Sequence, residues 1–212
     1  MKNIIWLVCV VCIGCGKQES QNSKIQKTSL ETIITSPQNA DTLWVNKVSS
    51  DVQWIGRKVI GEQHSGHIQL AGGFIIKNNG KLHSGEILMN MQSITVDDIE
   101  NPKWNQKLVD HLKNDDFFNI KKYPSAKFVF SKFEGKGADT RVTGDMTIRN
   151  KTIPMNFIFN TVVDVDSSYA TGNINIDRSL FEVKYGSGSF FEGLGDKMIM
   201  DEFTLNFKLI AR

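Results

Sequence analysis

The stretch LVDHLKNDDFFNIKKYPSAKFVF, residues 108–130, decides the fold because it places a helical pattern inside a chain that otherwise alternates between apolar and polar residues. Asn101 is a good helix N-cap, and Pro102 suits the first helical position. Helical spacing then relates Trp104, Leu108 and either His111 or Leu112. The sequence therefore predicts a short helix from about Pro102 to Lys113.

A turn follows the predicted helix. Asp115 and Asp116 can accept turn hydrogen bonds, and a tight turn there would let the adjacent Phe117 and Phe118 reach the same apolar region. Pro124 returns the chain to extended conformation. We therefore expect the helix and the two phenylalanines to form a flap over one mouth of the surrounding structure.

Strand-like alternation flanks this helix on both sides. The predicted strands are residues 48–59, 67–76, 85–94, 128–133, 142–148, 153–159, 169–176 and 198–209. Eight strands with mostly short connections are typical of an antiparallel barrel or sandwich. The predicted fold is an all-β, eight-stranded antiparallel barrel with one short helical insertion, whose interior is either filled or holds one small ligand.

Composition excludes several classes of function. The chain has 212 residues, 40% of them hydrophobic, which suits one folded domain plus a tail. Its formal charge of +2 comes from scattered lysines and arginines, so nucleic acid is not a predicted partner. No nucleophile motif or phosphate loop is found. We predict a protein without catalytic activity, cofactor or metal.

The N-terminus reads as an export signal. A positive start and an apolar run too short to span a bilayer occupy residues 1–15. The end Cys12-Ile13-Gly14-Cys15 resembles a bacterial lipobox, which implies that Cys15 receives diacylglycerol and anchors the protein to a membrane. An ordinary cleaved signal peptide or an uncleaved anchor is the alternative.

Two further segments complete the chain. Residues 16–40 are polar and lack aromatic side chains, so they cannot fold alone and form a flexible tether. Residues 41–212 form the predicted barrel domain. The folded body contains no cysteine and therefore no disulfide.

Several ordered motifs of the body resemble a known family. They are Val48-x-Ser50-x-Val52-x-Trp54, the segments 61–67 and 85–94, His111 to Phe118, Tyr123-Pro124-x-Ala126-x-Phe128, Val142 to Ile148, and Asp177-Arg178-x-x-Phe181. Together they resemble the YceI family of exported lipid-binding proteins. The resemblance implies a lipocalin-like barrel that holds a polyisoprenoid or similar amphiphile in an apolar tunnel, without catalytic residues. Residues 187–196 match no motif of the family, and their role is left open.

The inward faces of the alternating strands supply the candidate ligand contacts. They are Trp54, Ile68, Met89, Phe128, Met146, Phe157 and Phe207, joined by Phe117 and Phe118 of the flap. A slip of one residue would exchange the faces of any strand.

Other polar candidates are given structural roles. His64 and His67 are three residues apart on a strand and point to opposite faces, so they cannot easily share a metal ion. His111 is expected to be a partly buried hydrogen-bonding residue. Arg178, next to Asp177, suits either a structural ion pair or an anionic head group.

Two functions remain open at this point. The first is an exported, lipid-anchored protein of the bacterial cell envelope that carries or sequesters a long isoprenoid or fatty amphiphile. The second is a structural or interaction module of the envelope with a fully packed core. The expected location is the outer membrane, with the domain facing the periplasm or the cell surface. The sequence does not decide the oligomeric state.

Overall fold

The structure is a computed structural model that describes residues 40–163 and 166–212. Its strands are β1 Ala40–Trp44, β2 Asp51–Arg57, β3 Gln63–His67, β4 Leu70–Asn78, β5 Lys81–Asn90, β6 Ser125–Glu134, β7 Thr140–Ile148, β8 Lys151–Val163, β9 Ser168–Asp177 and β10 Glu202–Ala211. One α-helix, α1, spans Pro102–Lys113. The predicted signal peptide with Cys15, and residues 16–39 of the predicted tether, lie outside the described residues.

The strands form one antiparallel sheet in the order β1-β4-β5-β6-β7-β8-β9-β10-β2-β3. This sheet curls into a half-barrel with apolar side chains on its concave face. The predicted fold class, an antiparallel lipocalin-like barrel with one helix, is confirmed. Because successive side chains point to opposite faces of a strand, the strict alternation in the sequence determines which residues enter the interior.

The predicted strand number was wrong, since the described residues contain ten strands instead of eight. The predicted strand 67–76 lies within a longer run, residues 63–78, that changes partners. In this run the Ile68 N–H donates to the Val52 carbonyl of β2 at 2.9 Å, whereas the Gln69 carbonyl accepts from Asn90 of β5 at 2.9 Å. The run is therefore divided into β3, which pairs with β2, and β4, which pairs with β5.

Strand β1 was not predicted because it buries little apolar surface of its own, with only Leu43 buried in the strand. It is held by long-range backbone pairing instead. Trp44 pairs with Phe74 of β4, and Trp44 and Arg212 exchange backbone hydrogen bonds of 2.8 and 3.0 Å. The last predicted strand also starts later than expected, at Glu202 instead of residue 198.

Helix α1 has the predicted bounds. The Asn101 side chain accepts hydrogen bonds from the backbone N–H groups of Lys103 and Trp104, at 3.0 and 3.2 Å. The predicted buried face was partly wrong, because Trp104 is 54% exposed while Val109 and Leu112 are buried. No helix in the described ranges has the length and apolar character needed to cross a membrane.

The rotation of α1 has a specific cause. The Asn105 side-chain amide donates to the backbone carbonyls of Val96 and Ile99, at 2.7 and 3.1 Å. Asn105 therefore faces the body of the protein, and Val109 and Leu112, at helical spacing from it, share that face.

Candidate functional site

The interior contains an apolar cavity of about 60 Å³ midway along the sheet, here called the middle cavity. Its lining includes five of the predicted ligand residues: Met89, Phe128, Met146, Phe157 and Phe207. The predicted inward faces are therefore correct at these positions. Whether the residues bind a ligand stays a prediction.

Aromatic rings dominate the middle cavity. The centroid of Phe157 lies 5.3 Å from that of Phe128, 5.5 Å from that of Phe159 and 6.2 Å from that of Phe207. Such edge-to-face and tilted contacts are favourable packing geometries. Phe128 needs the glycine at position 144, since a Cβ there would lie 2.6 Å from the ring atom Cζ.

A second apolar cavity of about 70 Å³, the helix-end cavity, lies under α1. The remaining predicted ligand residues line it: Trp54, Ile68, Phe117 and Phe118. The Trp54 indole N–H donates to the Thr95 carbonyl at 3.0 Å, which fixes the ring. Gly66 makes room for this arrangement, because a Cβ at that position would lie 1.9 Å from the Thr95 oxygen.

The helix-end cavity adjoins a more polar depression of about 200 Å³, here called the vestibule, which is also lined by Trp54 and Phe117. The vestibule adds charged or polar side chains to the lining: Arg57, Lys58, Glu62 and His64. The apolar interior therefore meets polar surface beside α1. This is the mouth of the candidate site.

A third cavity of about 30 Å³, the far-end cavity, shares Ile87, Phe130, Phe159 and Leu209 with the middle cavity. The sequence reasoning did not assign this end of the interior. The alternation along β8 could have revealed this end of the interior, because the inward positions continue beyond Phe159 to the buried Thr161.

Phe117 and Phe118 reach the helix-end cavity through a turn, as predicted, but the residue that starts the turn differs. Asn114 does so, because its side chain accepts from the Asp116 N–H at 2.9 Å. Asp116 instead contacts His111, with Oδ2 3.1 Å from Nε2. Phe117 is 7% exposed, and its ring lies 4.9 Å from that of His111 and 5.4 Å from that of Tyr185.

Arg149, in the turn between β7 and β8, holds the turn that carries Phe117. Its guanidinium Nη1 donates to the Phe117 carbonyl at 2.9 Å and to the Glu182 carbonyl at 2.7 Å. Arg149 follows β7 and has a positive φ of 49°, which belongs to the tight turn into β8. One side chain therefore connects two loops that cover the interior, a role the sequence reasoning missed.

Arg178 is buried, and its guanidinium group is engaged in hydrogen bonds within the protein. It is 4% exposed and donates to four backbone carbonyls: those of Met200 at 3.1 Å, Val183 at 2.8 Å, Tyr185 at 2.9 Å and Ile199 at 3.2 Å. Its Nη2 also lies 3.4 Å from Oδ1 of Asp201. Burial lowers the pKa of Arg178, against the opposing effect of Asp201 and Asp177. Of the two predicted roles, the structure shows the ion pair.

His64 and His67 contact carboxylates at the edge of the sheet. His64 Nδ1 lies 2.7 Å from Asp98, and His67 contacts both Asp97 and Asp51. Asp97 and Asp98 lie in the loop that precedes α1, and the Ser65 N–H of β3 donates to Asp98 at 2.8 Å. Burial raises the pKa of Asp98, but the Ser65 N–H and His64 outweigh it, and the pKa is lowered. The described residues contain no cluster of three or more metal-ligating side chains.

Comparison with known proteins identifies the family. A model of the YceI-like domain matches residues 44–211, which is most of the chain. The chain belongs to the YceI-like domain family. The predicted resemblance is therefore confirmed, and the match covers every described strand except the first residues of β1.

Individual relatives match over shorter segments. A UPF0312 protein of Shewanella denitrificans is 35% identical over 83 residues, which are 39% of this chain and 41% of that protein. A UPF0312 protein of Photorhabdus laumondii is 42% identical over 45 residues, or 21% of this chain and 23% of that protein. These matches span less than half the length of either relative.

Solved structures support the fold. Burkholderia cenocepacia BcnA superimposes with a TM-score of 0.62 at 23% identity, covering 79% of this chain and 99% of BcnA. A polyisoprenoid binding domain from Saccharophagus degradans, implicated in plant cell wall breakdown, gives a TM-score of 0.59 at 11% identity, covering 80% of this chain and 97% of that domain. At these identities the likeness establishes the YceI-like fold alone.

Proposed function

We propose that this protein binds a polyisoprenoid or similar long-chain amphiphile in its apolar interior, and carries or sequesters it without transforming it. The observation that carries the proposal is the series of three apolar cavities between the mouth and the far end. Along β10 the lining passes from Phe203 in the helix-end cavity, through Phe207 in the middle cavity, to Ala211 in the far-end cavity. A row of this kind fits an extended chain.

Apolar burial supplies the driving force. Each methylene group of a ligand that leaves water contributes about 0.8 kcal/mol. The polar head would remain in the vestibule, where Lys58 and His64 face solvent beside apolar surface. This arrangement of a dry interior and a mouth lined in part by charged side chains suits an amphiphile.

The size of the cavities determines how such a ligand would bind. Typical ligand pockets measure about 300–1,000 Å³, whereas the middle and helix-end cavities measure about 60 and 70 Å³. A long chain must therefore displace side chains that separate the cavities. Met89 and Met146 suit such rearrangement, because methionine is unbranched and adapts to irregular spaces.

Family membership supports the choice of ligand. The polyisoprenoid binding domain from Saccharophagus degradans has the same fold. Together with the apolar lining of this chain, it makes isoprenoids the first ligands to test. Chain length should govern affinity, since each added methylene buries more apolar surface until the far end is reached.

The small cavity volumes favour one alternative, a structural or interaction module with a packed core and no ligand. Native mass spectrometry of the purified full-length chain separates the two functions. A co-purifying lipid, or uptake of added isoprenoid alcohol with a matching mass increase, supports the binding function. An empty protein that takes up no isoprenoid under any tested condition would contradict it and support the alternative.

We also propose that Cys15 carries a lipid anchor that holds the protein in the bacterial cell envelope, at the outer membrane. The support is the apolar run and the Gly14-Cys15 junction in the sequence. Cys15→Ala should abolish metabolic labelling with palmitate and partitioning into the detergent phase. Cys9→Ala, which lies outside the Cys12–Cys15 motif, is the matched control and should leave both unchanged. Continued labelling of Cys15→Ala would show that the anchor assignment is wrong.

The flap yields a prediction about ligand exchange. Replacing both Phe117 and Phe118 by Ala should speed ligand dissociation about tenfold or more, because both side chains line the helix-end cavity and Phe117 also lines the vestibule. Stopped-flow displacement of a fluorescent fatty probe measures the rate. Circular dichroism and thermal melting show whether the barrel stays folded.

Arg149→Met provides a second test of the flap that keeps both phenylalanines. It removes the hydrogen bonds to the Phe117 and Glu182 carbonyls, so it should also speed dissociation, by a smaller factor. The exposed Arg141→Met is the control. Unchanged exchange in both flap variants, or global unfolding of Phe117→Ala/Phe118→Ala, would exclude the flap.

A further inference from the structure

The far-end cavity differs from the rest of the interior because hydroxyl groups line it among the apolar side chains. Thr161 and Ser168 both line this cavity and are buried, with 6% and 9% of their surface exposed. They lie on neighbouring strands, β8 and β9. Tyr169 also lines this cavity, although it lies between the inward-facing Ser168 and Ala170 on β9. The other lining residues are apolar.

The hydrogen bonds at this end leave one donor unused. Thr140 Oγ1 donates to the Gly137 carbonyl at 3.0 Å and lies 2.7 Å from Thr161 Oγ1. Because each hydroxyl carries a single hydrogen, Thr161 must donate to Thr140 and keeps only acceptor capacity. Ser168 Oγ has no hydrogen-bond partner among the described residues. Buried hydroxyl groups are normally paired, so this one requires an explanation.

The register of β8 and β9 brings the two hydroxyl groups together. Thr161 pairs with Ala170, and Val163 pairs with Ser168, so Thr161 and Ser168 are diagonal neighbours on the inward face. Diagonal neighbours across an antiparallel pair lie about 7–8 Å apart, with their side-chain atoms closer. One oxygen atom between them could accept from Ser168 and donate to Thr161.

We propose that Ser168 and Thr161 form a terminal subsite that binds an oxygen at the far end of the ligand chain. This inference rests on the proposed function, in which a long chain runs from the mouth through the three cavities. The ligand class would then be a long chain that carries a polar group at both ends: a head group in the vestibule and a hydroxyl at the far end. Ser168 would donate to that hydroxyl, and Thr161 would accept from it.

Two probes of equal chain length test the subsite: palmitate and ω-hydroxypalmitate, titrated against the full-length chain by displacement of a fluorescent fatty probe. The native protein should bind both probes with similar affinity, since the ω-hydroxyl finds partners. Ser168→Ala should weaken binding of ω-hydroxypalmitate about tenfold, or about 1.4 kcal/mol, and leave the affinity for palmitate within about twofold. The exposed Ser49→Ala is the matched control and should change neither affinity.

Thr161→Val is a second variant, because it removes the acceptor while keeping the shape of the side chain. It should also lower the affinity for ω-hydroxypalmitate selectively. Without ligand, Ser168→Ala should melt no lower than the native protein, since it removes an unpaired buried hydroxyl.

The outcomes separate this inference from the proposed function. If neither probe nor isoprenoid binds the native protein, the proposed function fails and the subsite with it. If both probes bind, and Ser168→Ala leaves their affinity ratio unchanged, the subsite is wrong while the proposed function stands. An unchanged ratio would mean that water alone satisfies Ser168.

Discussion

Arg178→Met should lower the free energy of unfolding by about 3–5 kcal/mol, the usual cost of removing one partner of a buried ion pair. The substitution leaves the partly buried carboxylate of Asp201 without its cation and removes the donors for four backbone carbonyls of residues 183–200. Chemical denaturation followed by tryptophan fluorescence measures the loss. Because this loop covers the helix-end cavity through Ile199 and Met200, ligand affinity should fall as well.

Three variants control this prediction. Arg141→Met changes an exposed arginine and should shift stability by no more than about 0.5 kcal/mol. Adding Asp201→Asn to Arg178→Met should recover part of the loss, because it removes the uncompensated charge. Arg178→Lys should retain less than half of the stability that Arg178→Met loses, since an ammonium group cannot reproduce the five donors of a planar guanidinium. An Arg178→Met protein as stable as the native one would contradict the assigned role.

The same loop should respond to acid. Burial raises the pKa of Asp201, but hydrogen bonds from Ser187 and Ser189 and the charge of Arg178 outweigh it, so the pKa lies below its ordinary value of 3.8. Because the pKa of Asp201 is lower in the folded than in the unfolded protein, its carboxylate stabilises the fold at any pH above the unfolded-state pKa. This contribution is lost as the pH falls through the folded-state pKa. The stability difference between native protein and Asp201→Asn should therefore shrink as pH falls below about 4. A difference that stays constant there would argue against the ion pair.

Phe157→Asp should weaken isoprenoid binding by at least about tenfold, or 1.4 kcal/mol, and destabilise the protein. The Phe157 ring contacts those of Phe128, Phe159 and Phe207 in the middle cavity. A carboxylate placed there loses its hydration without gaining a charged partner. Binding is measured by native mass spectrometry and probe displacement, and stability by thermal melting of the same samples.

The neighbouring residue supplies the control. Asn156 lies on the outer face of β8, is exposed and accepts a hydrogen bond from Thr143 at 2.7 Å. Asn156→Asp introduces the same charge one residue away and keeps an acceptor, so affinity and melting should change little. Phe157→Met, which keeps an apolar side chain, should preserve the fold while altering chain-length preference. If Phe157→Asp binds ligand as tightly as Asn156→Asp does, the middle cavity is not the binding site.

The sequence by itself determined the features that depend on local periodicity and local hydrogen bonds. A two-residue alternation fixes which side chains share a face, so Met89, Phe128 and Met146 were placed in the interior without any knowledge of strand pairing. Asn101 and Pro102 specify the start of α1 because the cap bonds reach only two and three residues along the chain. The family motifs lie in these same local patterns.

Only the tertiary structure decided the features that depend on contacts between distant segments. Arg149 donates to the Phe117 carbonyl, and Arg178 donates to the Met200 carbonyl. The run 63–78 is divided between two partner strands, β2 and β5. The Ser168 hydroxyl, which has no partner among the described residues, is recognised as part of a pair with Thr161 only once the register of β8 and β9 is known. A hydrogen-bond donor does not encode its acceptor in its own sequence neighbourhood. Its partner is set by how the sheet curls and which loops that curvature brings together.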